Sequence, residues 1–296
     1  MQYRLIGAAS GLGAQHRECA HGPVILKKEQ IAEKIREKNV KVSDLNILYP
    51  EYTTLVPPSE SLPLIHAFNL KLAHEVETAL CAGEFPVVLG GDHSIAVGTW
   101  NGAHQFFKQQ EKLPMGLIWI DAHMDSHTLK TTPSGAPHGM PLAGLLGHGD
   151  PSLAKLEGKD PVLLPENLCL IGPRSFEEGE ARLLKKLNVR VYFEKEVQER
   201  GIDAVLKEAI LYVSRHAKVF GVSLDLDVIC PEEAPGVGSP EKGGIHAKEL
   251  MNALSHLRKN PLFKLFELVE YNPQRNHHKQ TAKLCLEILL HVLHND

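Results

Sequence analysis

Six residues combine types and spacings that could do chemistry: His93 in GGDHS, Asp121, His123 and Asp125 in DAHMD, and Asp225 and Asp227 in SLDLD. Asp121, His123 and Asp125 stand at i, i+2 and i+4, and Asp225 and Asp227 repeat the interval. In an extended segment such side chains share one face. The intervening Ala122, Met124 and Leu226 are apolar, as the opposite face requires. Four carboxylates brought together without counter-ions would repel, and some would be forced to take up protons. Two divalent cations cancel those four charges. An oxygen-rich set with two imidazoles and no aligned thiolate suits manganese best, while histidine also admits zinc, cobalt or iron. Between two ions about 3.5 Å apart, a bridging water loses a proton near neutral pH. The six residues therefore point to a hydrolase that activates water on two metals. A lone Asp at a strand end ordinarily caps the next helix. That role, or the orienting of a neighbour, suits Asp92; capping does not account for the other four carboxylates.

The elements that must position these groups are legible in the periodicity. Short apolar runs at 3–7, 86–90, 116–120, 167–172, 189–193, 218–224 and 265–270 read as strands. Helical patterns occupy 62–82, 96–112, 177–188, 202–216, 246–258 and 279–293. In the first of these, Leu64, Ile65, Phe68, Leu72, Val76 and Leu80 fall near one face. Strand and helix in alternation predict an α/β fold: a single domain over residues 1–296, three layers deep, with a mostly parallel, doubly wound sheet. Continuous apolar strands are expected when both faces of such a sheet are covered. GGDHS, DAHMD, DLD and EYNP each follow one of these strands, where ligands bind in open parallel sheets. Residues 127–166, rich in Gly, Pro, Ser and Thr, form the least regular stretch and read as a binding loop.

Composition narrows the function classes. A chain of 296 residues, 43% of them hydrophobic, can bury a core that needs no disulfide staples. The formal net charge is −4 and no basic stripe runs along the chain, so nucleic acid is set aside as a partner. Five unpaired cysteines without a C-x-x-C motif suggest a reduced, cytoplasmic protein. No apolar run reaches the length of a membrane span, so no membrane partner is expected. There are 17 histidines, and for His277, His278, His291 and His294 in the tail a solvated surface suffices.

Taken in order, GGDHS, DAHMD, SGAPHGMPL, SLDLD with APGVGSP, and EYNP resemble the signature blocks of the arginase, or ureohydrolase, family. GAASGLGAQHRECAHGP near the N-terminus and IGPRSFEEGE at 171–180 fit the same pattern, so the resemblance covers most of the chain. It implies an arginase-like fold and two Mn²⁺ per subunit. His93, Asp121, Asp125 and Asp225 would hold one ion. Asp121, His123, Asp225 and Asp227 would hold the other, with Asp121 and Asp225 shared. It also implies a hydroxide between the metals attacking the central carbon of a guanidinium, which releases urea and an amine. Glu270 matches the carboxylate that holds the guanidinium, a partner a planar N–H donor prefers. His138 matches a proton-shuttling histidine, so the catalytic candidates are His138, Glu270 and Asp125. Ser134 matches a serine that contacts the substrate α-carboxylate, and Glu177 an acidic residue near the α-amino group. Four positions depart from the pattern. Glu177 is longer than the usual Asp. His127 stands where arginases commonly carry Asn, Ala136 replaces another Asn, and Cys230 replaces an Asp that orients the metal ligands; loss of such a group weakens metal binding roughly 10- to 100-fold.

The function implied is hydrolysis of L-arginine to L-ornithine and urea by a homo-oligomer, a trimer or hexamer. A formimidoylglutamase, an agmatinase or another guanidino-acid hydrolase is the alternative. A non-catalytic metal-binding protein and a single-zinc deacetylase related in fold are more remote. Other motifs have plainer readings. Gly11-Leu12-Gly13 lacks the third glycine of a dinucleotide loop. Cys230 has no obvious paired base and reads as a packing residue. Pro57-Pro58 marks a turn.

Overall fold

The apolar runs become strands β1 (Tyr3–Ala8), β2 (Asn46–Leu48), β3 (Phe85–Gly90), β4 (Met115–Ile120), β5 (Leu168–Ile171), β6 (Arg190–Tyr192), β7 (Val219–Asp225) and β8 (Phe263–Val269). The computed structural model describes residues 1–51, 56–57, 60–154, 156 and 161–294; Pro58 of the Pro57-Pro58 marker lies outside them. The strands form one sheet in the order β2-β1-β3-β8-β7-β4-β5-β6. Every pairing in it is parallel.

Parallel neighbours require crossovers, and helices supply them. They are α1 (Gly22–Lys28), α2 (Ile31–Arg36), α3 (Leu62–Cys81), α4 (Ala96–His104), α5 (Pro141–Leu145), α6 (Pro151–Ala154), α7 (Glu178–Lys186), α8 (Glu194–Arg200), α9 (Ile202–Val213), α10 (Ala247–Leu254) and α11 (Gln280–Leu293). Alternate side chains of the strands serve two separate cores. Val87, Leu89, Ile118 and Ile120 pack with α9, α10 and α11 through Val205, Leu250 and Ile288. Val88, Leu117 and Trp119 pack with α3 and α4 through Phe68, Leu72, Val76 and Trp100. Helices therefore cover both faces, which gives the three-layer, doubly wound α/β architecture expected and explains why β3, β4 and β7 carry no exposed residue.

The differences from the sequence reading are local. The helix expected over 96–112 is α-helical only to His104 and continues as a π-helical turn over Gln105–Gln110. β2 has three residues at the sheet edge and too short a pattern to register. α1 and α2 are two short helices broken by Gln30 at φ 58°, so neither builds a long amphipathic period. The 127–166 stretch is less irregular than expected, because it contains α5 and α6.

Candidate metal centre

Four adjacent central strands, β3, β8, β7 and β4, end side by side in parallel. His93 follows β3, Glu270 follows β8, Asp225 ends β7 and Asp121 follows β4. Register locks these ends together, since Leu224 pairs with both Ile120 and Leu268, and Leu89 pairs with Leu268.

The clusters do not converge by strand alternation. β4 stops at Ile120, and Asp125 takes a left-handed backbone at φ 45°. After Asp225 the chain enters a 3₁₀ turn, Leu226–Val228, capped by Asp225 Oδ1 accepting the Asp227 N–H at 2.8 Å. The apolar Ala122, Met124 and Leu226 are buried nonetheless. The 121–127 segment is tied down where Asp125 C=O accepts the Leu142 N–H at 2.9 Å and His127 N–H donates to Gly139 C=O at 3.0 Å. Asp92 caps the turn that carries His93: its carboxylate accepts the Ser94 N–H at 2.9 Å and the Gly13 N–H at 3.0 Å.

His93 Nδ1 faces three carboxylates, Asp125 Oδ2 at 3.0 Å, Asp121 Oδ2 at 3.1 Å and Asp225 Oδ2 at 3.2 Å. It is buried and makes no hydrogen bond there. On its far side Nε2 meets Ser223 Oγ at 2.9 Å, and Ser223 donates to Glu267 Oε1 at 2.7 Å. His123 Nδ1 faces Asp227 Oδ2 at 3.0 Å and Asp121 Oδ1 at 3.5 Å. His93, Asp121 and Asp225 form one set able to hold an ion, and Asp121, His123 and Asp227 a second. The charges of the polypeptide alone are in conflict. Burial and then Asp121 raise Asp125 to about 6. Burial, then Asp227 and Asp121, raise Asp225 well above the carboxylate range. Burial would keep His93 neutral, yet its carboxylate neighbours push it well above the usual histidine value. Buried carboxylates that must take up protons to coexist fit cations in that space.

Glu270 lies beside these residues at φ 64°, a strained backbone for a non-glycine residue. Its Oε1 accepts the His93 N–H at 2.8 Å and faces His138 Nδ1 at 3.4 Å. His138 is held by its own N–H to Gly13 C=O at 3.0 Å. These groups open on one cavity of about 270 Å³, whose walls also include His127, Ser134, Ala136 and Glu177. His127 Nε2 contacts Glu177 Oε2 at 2.8 Å and Glu180 Oε2 at 3.2 Å. Glu180 was not singled out from sequence. It is buried, accepts the Glu177 N–H at 3.1 Å and the Ser126 N–H at 3.1 Å, and burial raises it to about 8. Its signal was a second acidic residue three positions after Glu177 at the start of a helix. Ser134 is exposed at the rim, where Oγ accepts the Ala136 N–H at 3.2 Å. Cys230 is half-buried, with its Sγ 3.9 Å from His246 Nδ1.

The arginase family model matches residues 1–294. The chain belongs to the arginase family. It is 38% identical to an arginase of Bacillus subtilis (strain 168) over 98% of this chain and 96% of that one. A crystal structure of arginase from the same organism superposes with a TM-score of 0.92 at 36% identity, covering 100% of this chain and 99% of that one. A formimidoylglutamase from Bacillus subtilis, 22% identical, shares the fold with a TM-score of 0.75 over 99% of this chain and 86% of that one. Among the described residues of this arginase-family protein, no helix is long and apolar enough to cross a membrane.

Proposed function

We propose that this arginase-family protein is a binuclear manganese hydrolase that converts L-arginine and water to L-ornithine and urea. The observation that carries this reading is the single cavity in which His93 Nδ1 faces three carboxylates at 3.0–3.2 Å while Glu270, 3.4 Å from His138, stands beside them. Its arginase relatives support it. His93, Asp121, Asp125 and Asp225 would hold one ion, and Asp121, His123, Asp225 and Asp227 the other. When bound, two such ions bring the pKa of water toward neutrality. The remaining steps fall to the chain's own side chains. Glu270 accepts the guanidinium N–H groups, a charge-assisted contact. Asp125 accepts a hydrogen bond from the attacking water. His138 carries a proton to the departing amine, at a distance from Glu270 that keeps it over the same substrate. His127 and Ser134 receive the α-carboxylate, and Glu177 the α-amino group. Residues 1–296 would form one catalytic domain, working in the cytoplasm as a homo-oligomer, a trimer or hexamer.

Urea release with Mn²⁺ from arginine, agmatine and guanidinobutyrate, beside formamide release from formiminoglutamate, tests the reading. Arginine is expected to lead. Formamide release as the dominant activity would transfer the protein to the formimidoylglutamase branch, and no turnover with any divalent metal would overturn hydrolysis altogether. One zinc per chain on metal analysis would favour a single-metal deacetylase.

A further inference from the structure

Glu270 is gripped from two sides, and one grip comes from a residue with no part in the chemistry above. Oε1 accepts the His93 backbone N–H at 2.8 Å. Oε2 accepts the thiol of Cys19 at 3.1 Å, across 251 positions of sequence. Cys19 is fully buried in the short helical turn Arg17–His21, which precedes α1. Beside it lies Gly238, where a Cβ would collide with the same Oε2 and come within 3.2 Å of Cys19 Sγ. Oε2 therefore packs closely against the Gly238 backbone and the neighbouring thiol, with no room there for a side chain at position 238.

The Glu270 backbone is anchored independently. Its N–H donates to Gly91 C=O at 2.9 Å and its C=O accepts the Gly238 N–H at 3.1 Å. These bonds place the Cα but leave the side-chain torsions free, and the last of them, between sp³ and sp² carbons, has a broad minimum. A bidentate contact needs the carboxylate plane aligned with the plane of the guanidinium. A thiol is ordinarily a weak donor. An ionised acceptor strengthens the bond, and a buried site removes the water that would compete for it. Burial first, and then the neighbouring Glu270, push the Cys19 thiol well up, so it keeps its proton.

We propose that Cys19 is a positioning residue: its S–H, donated to Glu270 Oε2, sets the plane in which that carboxylate receives the substrate's guanidinium. The inference rests on the guanidino-hydrolase reading. It predicts that a side chain of the same size without a donor loosens guanidinium binding, while the metals and the amino-acid end of the substrate are left alone.

The test compares manganese-loaded full-length wild type with Cys19→Val, Cys19→Ala and Cys19→Ser. Val fills the space without a donor, and Ser keeps a donor. For Val and Ala, KM for L-arginine is expected to rise roughly 10-fold, the low end for a hydrogen bond to a charged group. The change in kcat should be much smaller, and Ser should restore most of the KM. The inhibition constant of L-ornithine, which lacks the guanidinium, and the manganese content should stay at wild-type values. Wild-type KM in Cys19→Val overturns the proposal, as does a parallel loss of ornithine affinity or manganese, which would mark a packing defect. Calorimetric titration with millimolar guanidinium chloride separates the two layers of inference. If wild type fails to turn over arginine, the hydrolase reading falls alone. Equal guanidinium affinity in wild type and Cys19→Val sinks the role of Cys19.

Discussion

The imidazole of His93 stacks on the indole of Trp119, with centroids 4.1 Å and planes 9° apart, and the same indole donates to Asp121 Oδ2 at 2.9 Å. One core residue of β4 thus orients a nitrogen and an oxygen of the candidate metal set. Groups that hold ligands in this way matter to metal affinity about 10- to 100-fold. Trp119→Phe, which keeps the stack and removes the N–H, should weaken Mn²⁺ binding by roughly 10-fold. Ser223→Ala, which removes the contact to His93 Nε2, should do the same. Titration of the metal-stripped protein with Mn²⁺ reads both; unchanged midpoints would mean that the ligands are fixed without these partners.

Asp225→Ala and His138→Ala should separate metal binding from proton transfer. Asp225 faces His93 and is proposed to be shared by both ions, so its loss should abolish turnover and deplete bound manganese. His138→Ala should keep its metal and lose roughly 10²-fold in kcat, the low end for general acid–base help. Equal manganese content in wild type and Asp225→Ala would remove Asp225 from the shared position.

The His138–Glu270 pair has a pH signature in the metal-stripped protein. Burial disfavours the His138 imidazolium, but Glu270 outweighs it and raises His138 to about 9. Its folded pKa lies above the unfolded value near 6.5. The pairing therefore adds stability in full below about pH 6.5, and that stability fades as pH rises through about 9. Urea unfolding at pH 6 and pH 9.5 should show wild type losing more stability than His138→Asn. Equal losses would mean that the pair does not form.

His127 should discriminate between substrates. Its imidazole touches Glu177 at 2.8 Å and Glu180 at 3.2 Å at the wall of the cavity. If it receives the α-carboxylate, His127→Ala should raise KM for arginine roughly 10-fold. Agmatine, which has no α-carboxylate, should be far less affected. Identical shifts for both substrates would assign His127 to holding the 121–127 segment instead.

Much of this was legible in the sequence because it is a local property. Long buried strands such as β3, β4 and β7 write themselves as unbroken apolar runs, and α3 repeats its apolar positions through Phe68, Leu72 and Val76. β2 and the pair α1 and α2 were not legible, since three residues or two short turns carry too little periodicity. The capping role of Asp92 was foreseeable from its type and place. The left-handed backbones of Asp125 and Glu270 were not: Asp tolerates that region better than most residues but does not require it, and Glu does not favour it, so the surrounding contacts decide. His93, the two aspartate clusters and Glu270 were visible as polar residues after strands. Glu180 and Cys19 were not, since a helix-start carboxylate and a lone cysteine are ordinary by themselves.

The sequence by itself determined the donor chemistry, an imidazole and carboxylate set at the ends of apolar strands, because side-chain type and periodicity are written residue by residue. Only the tertiary structure decided which of those donors meet. The order β3-β8-β7-β4 sets His93, Glu270, Asp225 and Asp121 on neighbouring strand ends, although they lie far apart along the chain. It also carried Cys19 to Glu270 and His127 to Glu180. Contacts of that kind depend on how strands are ordered and how loops pack, which no single stretch of sequence contains.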